Sequence, residues 1–210
     1  MTRLMHSMSI WPRLSADLLA GACALLLASA PARAEPPSVA AVETGLRLGM
    51  AFDLGGGRWA TAAHVVCGLA PGARVRLIGV GPAMIVGRAE GLDLAILSAP
   101  SGRGSEMGDP PPAGAPVSAI GAGREGLRTA TGEASGQTLR LPAFGEGFVV
   151  RLDGARPGFS GGPLRSTDGR TLGMVVAVRR GALGATEAFV LPVGAMRAAA
   201  GRAYLPPPSC

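Results

Sequence analysis

Short apolar runs recur about every ten residues along this chain, each closed by glycine or proline, and that rhythm leaves room for strands and little else. The runs are Leu46–Asp53, Arg58–Thr61, Val75–Ile78, Ala83–Arg88, Leu94–Leu97, Val117–Ile120, Arg128–Ala134, Gly147–Leu152, Thr171–Val178 and Ala188–Leu191. A strand of about four to eight residues plus its turn fills one such interval, so the spacing predicts an all-β sandwich or barrel. The 33 glycines and 18 prolines among 210 residues follow no fixed period, and they read as turns rather than as a collagen-like or low-complexity tract. Two stretches look helical: a short turn at Ala62–Cys67, and the tail Pro192–Ala203, where a proline at the first helical position precedes an alanine-rich run. Ser101–Ala115 (SGRGSEMGDPPPAGA) has no periodicity and splits the runs into two sets of similar size, so it reads as a linker between two barrels.

Residues 1–34 are a separate object. Arg3 and Arg13 precede the apolar run Leu18–Ala30, and Ala32-Arg33-Ala34 supplies the small residues that a signal peptidase requires. The 13-residue run falls short of the about 20 residues of a membrane span. Cys23 lies within the run rather than at its end, which argues against lipidation. The expected mature domain is therefore residues 35–210, periplasmic or secreted, with a first barrel over 35–105 and a second over 116–200. No membrane anchor is expected once the signal is removed.

Removal of that segment leaves 17 arginines against 13 acidic residues, one histidine (His64) and two cysteines (Cys67 and Cys210). The positive charge is scattered, so it marks no nucleic-acid surface. A zinc or transition-metal site needs three or four clustered ligands, which this inventory does not offer; neither metal nor cofactor is expected. Gly121–Gly126 fits G-x-G-x-x-G, but the following LRTATGEASG is strand-like where a dinucleotide loop must open a helix. Arg179-Arg180 lacks interleaved aromatics and reads as a solvated loop.

Chemistry concentrates at Gly158-Phe159-Ser160-Gly161-Gly162-Pro163-Leu164. Glycines on both sides of a serine permit a sharp loop that exposes the hydroxyl and turns backbone N–H groups toward one point. The stretch also satisfies the nucleophile elbow G-x-S-x-G, which requires a histidine after the serine. No histidine follows Ser160, whereas His64 lies 96 residues before it in Thr61-Ala62-Ala63-His64-Val65-Val66. A serine hydroxyl needs a base, and the imidazole needs an acceptor on its other nitrogen. Among the carboxylates, Asp93 stands out because it opens an otherwise apolar strand, where an unpartnered charge is costly.

The chain here resembles the chymotrypsin-fold (trypsin-like) serine peptidases, and among them the bacterial HtrA-like branch. The resemblance rests on G-x-x-F at Gly49–Phe52, T-A-A-H-V-V at Thr61–Val66, L-D-L-A-I-L at Leu92–Leu97, S-G-G-P-L at Ser160–Leu164, then Gly173 and Phe189-Val190-Leu191-Pro192, all in family order. It implies two perpendicular six-stranded β-barrels with the site in the cleft between them. His64, Asp93 and Ser160 would form the triad, and the N–H groups of Gly158 and Ser160 the oxyanion hole. The residue before the scissile bond would enter a pocket made by Gly154, Ala155, Pro157, Val176, Ala177 and Val178. Gly154 stands where an aspartate would select Lys or Arg, so a small or medium aliphatic residue is expected there.

Three features depart from the family pattern. Phe159 occupies the position where digestive proteases carry an aspartate that pairs with a new N-terminus, and Met174–Val178 contains no supporting hydroxyl. The 50 residues after Ser160 are too few for the PDZ domain usual in the HtrA branch, so none is expected. The leading expectation is an exported serine endopeptidase acting on peptides or proteins; the alternative is a protease-like binding module with weak or no activity. Export also suggests a disulfide between Cys67 and Cys210, the alternative being a buried Cys67 and a free Cys210.

Overall fold

The apolar runs fold as antiparallel strands in a computed structural model that describes residues 37–45, 47–180 and 186–199. The first six are β1 (Val39–Glu43), β2 (Leu48–Gly55), β3 (Arg58–Thr61), β4 (Arg74–Leu77), β5 (Gly81–Arg88) and β6 (Ala95–Ser98). They pair in the order β1-β2-β3-β6-β5-β4 and close into a barrel where β4 returns to β1, with Leu77 opposite Val42. Strand β5 carries the period of two expected of a half-buried strand: Ala83, Ile85 and Gly87 are buried while Pro82, Met84 and Val86 face outward. Trp59 fills the barrel interior, and its indole N–H donates to the Pro100 carbonyl at 3.0 Å, so the buried donor is satisfied.

The second barrel contains β7 (Pro116–Gly123), β8 (Gly126–Leu141), β9 (Gly145–Asp153), β10 (Pro163–Ser166), β11 (Thr171–Arg180) and β12 (Thr186–Pro192). Its order is β10-β11-β12-β9-β8-β7, closed by pairing of β10 with β7. A short helix, α1 (Val193–Ala199), follows and buries Val193, Met196 and Ala199. The all-β, two-barrel expectation therefore holds, as does the short C-terminal helix. Both barrels belong to one unit of the chain, Glu35–Cys210. The core of the first barrel continues without a break onto Met174, Val176 and Leu191 of the second. Among the described residues no helix is long and apolar enough to cross a membrane.

The structure differs from the spacing argument at three elements. Strands β1 and β10 were not among the ten apolar runs, and β8 extends well beyond Arg128–Ala134, with an irregular register between Ala134 and Thr138. Ala63–Val66 is a 3₁₀ turn. Gly121–Gly126 lies at the β7–β8 hairpin, where Gly123 pairs with Gly126 and no helix opens. Arg179 and Arg180 are the last residues of β11 rather than a loop, and Arg179 pairs across the ladder with Glu187 at 2.8 Å.

The stretch between the barrels is irregular but tied to both. Asp53 on β2 is fully buried, yet its Oδ1 accepts from Gly55 N–H at 2.7 Å and its Oδ2 from Gly102 N–H at 3.0 Å. Its carbonyl accepts from Ser105 N–H, and Thr171 on β11 exchanges backbone hydrogen bonds with Glu106 and Gly108. A buried carboxylate supplied with backbone donors offsets its desolvation and holds the connection against the first barrel. The candidate export signal, residues 1–34, lies outside the described residues, as does the expected helix beyond Ala199.

Candidate active site

His64 is the one residue of its 3₁₀ turn that is not buried: Ala63, Val65 and Val66 pack inward, while the His64 side chain is 40% exposed. Asp93 sits in the turn entering β6 and is 5% exposed. Its backbone is held from both sides, since its carbonyl accepts from Ala63 N–H at 3.2 Å and its N–H points to the Phe144 carbonyl on the β8–β9 turn at 3.5 Å. The carboxylate then makes two bonds to one residue. Oδ1 accepts from the His64 backbone N–H at 2.9 Å, and Oδ2 lies 2.6 Å from His64 Nδ1. An ionised carboxylate only accepts, so Nδ1 is the donor in this contact, and in the neutral ring Nε2 is the nitrogen that keeps its lone pair.

Ser160 lies in the loop from β9 to β10, and two glycines make that loop possible. Gly158 (φ +104°) and Gly161 (φ +84°) are in left-handed conformations, and a Cβ on either would overlap a carbonyl oxygen, of Ala122 and Met50 respectively. Gly161 N–H donates to Val175 O at 2.8 Å, and Ala122 N–H donates to Gly158 O at 2.9 Å. Phe159 points the other way. Its ring is 1% exposed within the second core and lies directly on Gly121, where a Cβ would overlap it. An aromatic anchor thus occupies the position that the family resemblance fills with an aspartate. Among the described residues, neither Gly158 N–H nor Ser160 N–H donates to a backbone carbonyl.

Strand β2 brings the serine loop to the histidine turn. Met50 N–H donates to the Ser160 carbonyl at 2.8 Å, while the Met50 carbonyl accepts from the buried Thr61 hydroxyl at 2.7 Å, three residues before His64. Beside it, a Cβ on Gly49 would sit 2.6 Å from Val65 Cγ2 and 3.0 Å from the Ser160 carbonyl, so only glycine lets these two segments approach. Nothing in T-A-A-H-V-V marks Thr61 for this role. Arg47 is a further contributor, its guanidinium donating to the His64 carbonyl and to Cys67 Sγ; no local pattern around Arg47 signals this. Cys67 is disulfide-bonded, and its partner lies outside the described residues, as does Cys210.

The residues expected to form the pocket before the scissile bond are spread around the site. Gly154 (φ +80°) turns the chain after β9, and Ala155 is buried in the second core. Pro157 lines a cavity of about 430 Å³ beside Gly158. Val176 is buried, whereas Ala177 and Val178 line a separate apolar cavity of about 200 Å³ with Phe144 and Phe189. Among the described residues no group of three or more His, Cys, Asp or Glu is placed to hold a metal ion.

Comparison with known proteins agrees with this fold. The family described as trypsin-like peptidase domain matches residues 49–174, a span from β2 to β11 that contains His64, Asp93 and Ser160. The structure is similar to the Rv3671c protease of M. tuberculosis in its active form, at 20% identity over 99% of each chain and a TM-score of 0.67. It is similar to the inactive form of Rv3671c protease at 26% identity, over 81% of this chain and 90% of that one, with a TM-score of 0.66. The MamO protease domain of Magnetospirillum magneticum aligns at 23% identity, over 78% and 95% of the two chains, with a TM-score of 0.60. No curated protein matches the sequence.

Proposed function

The chain belongs to the trypsin-like peptidase family and is a serine-type peptidase, and we propose that it is an exported endopeptidase working through His64, Asp93 and Ser160. The observation that carries this reading is the double contact of one buried carboxylate with His64, on both its backbone N–H and its Nδ1. Asp93 holds the imidazole in the tautomer that can take a proton at Nε2. The Ser160 hydroxyl attacks the peptide carbonyl, giving its proton to His64 as the new C–O bond forms. Charge gathering on the carbonyl oxygen meets the N–H groups of Gly158 and Ser160, which the glycine-rich loop holds in place before the reaction begins. His64 then returns the proton to the leaving amine, and water, deprotonated by the same imidazole, releases the acyl group.

Export rests on the sequence of residues 1–34, with its basic start, apolar run and Ala32-Arg33-Ala34. The substrates are peptides or proteins. The test is labelling of the purified mature protein by a fluorophosphonate probe, alongside Ser160→Ala. Labelling that needs Ser160 and is weakened by His64→Ala is the expected result. Failure of the probe to label a folded protein would leave the site as a protease-like binding surface.

A further inference from the structure

A groove adjoins the candidate site at Gly158, two residues before Ser160. It starts at Gly158 and Pro157, runs along Ala122–Arg124, and passes Leu48. A second cavity of about 380 Å³ shares Leu48 and Ala122–Arg124 and carries the groove on to Ile78 and Leu127. Leu48 is 42%, Ile78 42% and Leu127 55% exposed, three of the six large apolar side chains that the described surface leaves in water. Single exposed leucines are ordinary, but three along one groove form a patch.

Charge along the groove is unbalanced. Glu125 is matched by Arg128 at 2.6 Å, and Glu43 lies 4.0 Å from Arg76. Arg124 and Arg156, which line the groove with Gly158, make no ion pair among the described residues. The groove therefore carries unmatched positive charge along Arg156 and Arg124, and its outer cavity adds Ile78 and Leu127 to Leu48.

The direction of the groove follows from proton transfer. His64 must give its proton to the leaving amine, so the substrate segment after the scissile bond leaves on the side of the histidine turn. Gly49 packs against Val65 of that turn, and Leu48 is the residue before it in β2. The groove past Leu48 is on that side, whereas Ala177 and Val178 line a separate cavity of the second barrel, among β8, β9, β11 and β12.

Building on the proposed peptidase function, we propose that this groove selects substrates by the residues that follow the scissile bond. It takes an acidic side chain at the first or second position against Arg124 and Arg156, then a large aliphatic side chain on Leu48, Ile78 and Leu127. An extended substrate turns alternate side chains to the same face, so the two demands fall on alternate positions of one strand. The contacts with arginine are solvent-exposed, so each contributes modestly and is screened by salt.

The experiment is digestion of a peptide library by the mature protein, with cleavage positions read by mass spectrometry, for the wild type, Ser160→Ala and the double variant Arg124→Glu/Arg156→Glu. Wild-type cleavage should favour Asp or Glu over Lys or Arg just after the cut by about tenfold, two exposed pairs gained against two like-charge contacts avoided. The double variant should reverse that ratio, and about 1 M salt should flatten it in both proteins. A ratio within one protein is insensitive to how much of that protein is active. Ser160-dependent cleavage with no preference after the cut, or with a preference that the double variant keeps, overturns this inference while the peptidase reading stands. Absence of both cleavage and fluorophosphonate labelling overturns the peptidase reading and this inference with it.

Discussion

The Phe159 ring and Gly121 occupy adjoining space so closely that neither can change alone, and a double-mutant cycle measures the coupling. Phe159 is buried among Leu152, Leu164 and Val175, so Phe159→Ala leaves a phenyl-sized hole in the second core. Such truncations cost about 3–5 kcal/mol, a large share of the roughly 5–15 kcal/mol that holds a domain folded. Gly121→Ala pushes a methyl group into the ring and should cost about 1–3 kcal/mol as overpacking. In the double variant the methyl group enters the vacated space, so the combined loss should fall short of the sum by about 1–3 kcal/mol. Urea unfolding of the four proteins, followed by circular dichroism, gives the cycle; with a slope of about 2 kcal/mol/M, Phe159→Ala alone should move the midpoint by about 1.5–2.5 M. Under conditions where Phe159→Ala is fully folded its hydrolysis should still be slower, because the loop from Gly158 to Ser160 has lost its anchor. Losses that add to within about 0.5 kcal/mol would refute the shared-space argument.

Ser160→Ala and His64→Ala should each lower the rate of peptide hydrolysis by a similar large factor, with the double variant little worse than either, as measured by kcat/KM; additive losses would break the triad assignment. The Ser166 hydroxyl, followed by Arg170, holds the Asp168 carboxyl below its usual range. Ser166→Ala should therefore raise the Asp168 pKa in an NMR titration, and because the stability from a lowered folded-state pKa is complete above the unfolded value and lost as pH falls to the folded one, Asp168 should lend less stability in the variant and lose it at a higher pH. Cys67 is in a disulfide, and once residues 1–34 are removed Cys210 is the only partner left in the chain. Thiol titration of the denatured, unreduced mature monomer should accordingly find none free; two free thiols would rule the bridge out.

What could be read from the sequence was whatever broke an expected pattern. Asp93 is a charge at the head of an apolar strand, His64 is alone of its kind after residue 34, and Ser160 lies between glycines. Each anomaly needs a reason that a partner supplies. Strand β1 gave no such signal: Val39–Val42 are all buried, so alternation is lost, and Pro36-Pro37 precede them. Strand β10 was hidden by opening on Pro163, which a strand tolerates at its first residue. The continuation of β8 was masked by Gly136, in a left-handed conformation (φ +74°) at the register shift. The groove beyond Leu48 was out of reach for a different reason, since it is assembled from β2, the β4–β5 turn and the β7–β8 hairpin, and no window of sequence contains it.

Met50 joins the readable and the unreadable parts of the site. Its side chain is buried core, and nothing in its chemistry suggests a link to function. Its backbone nevertheless bonds the Ser160 carbonyl on one side and the Thr61 hydroxyl on the other, so the serine loop of the second barrel and the histidine strand of the first share one residue of β2. A hydroxyl at position 61 is what that link requires. Thr61→Val keeps the shape but removes the donor, leaving the buried Met50 carbonyl without the Thr61 hydroxyl, a loss of about 1–3 kcal/mol. Thr61→Ser keeps the donor and loses only a methyl group. If β2 positions the serine loop against the histidine turn, Thr61→Val should lower kcat with little change in KM for a short peptide, and Thr61→Ser should restore it. Equal activity of the Val and Ser variants, both confirmed folded, would show that the two barrels hold the site together without this link.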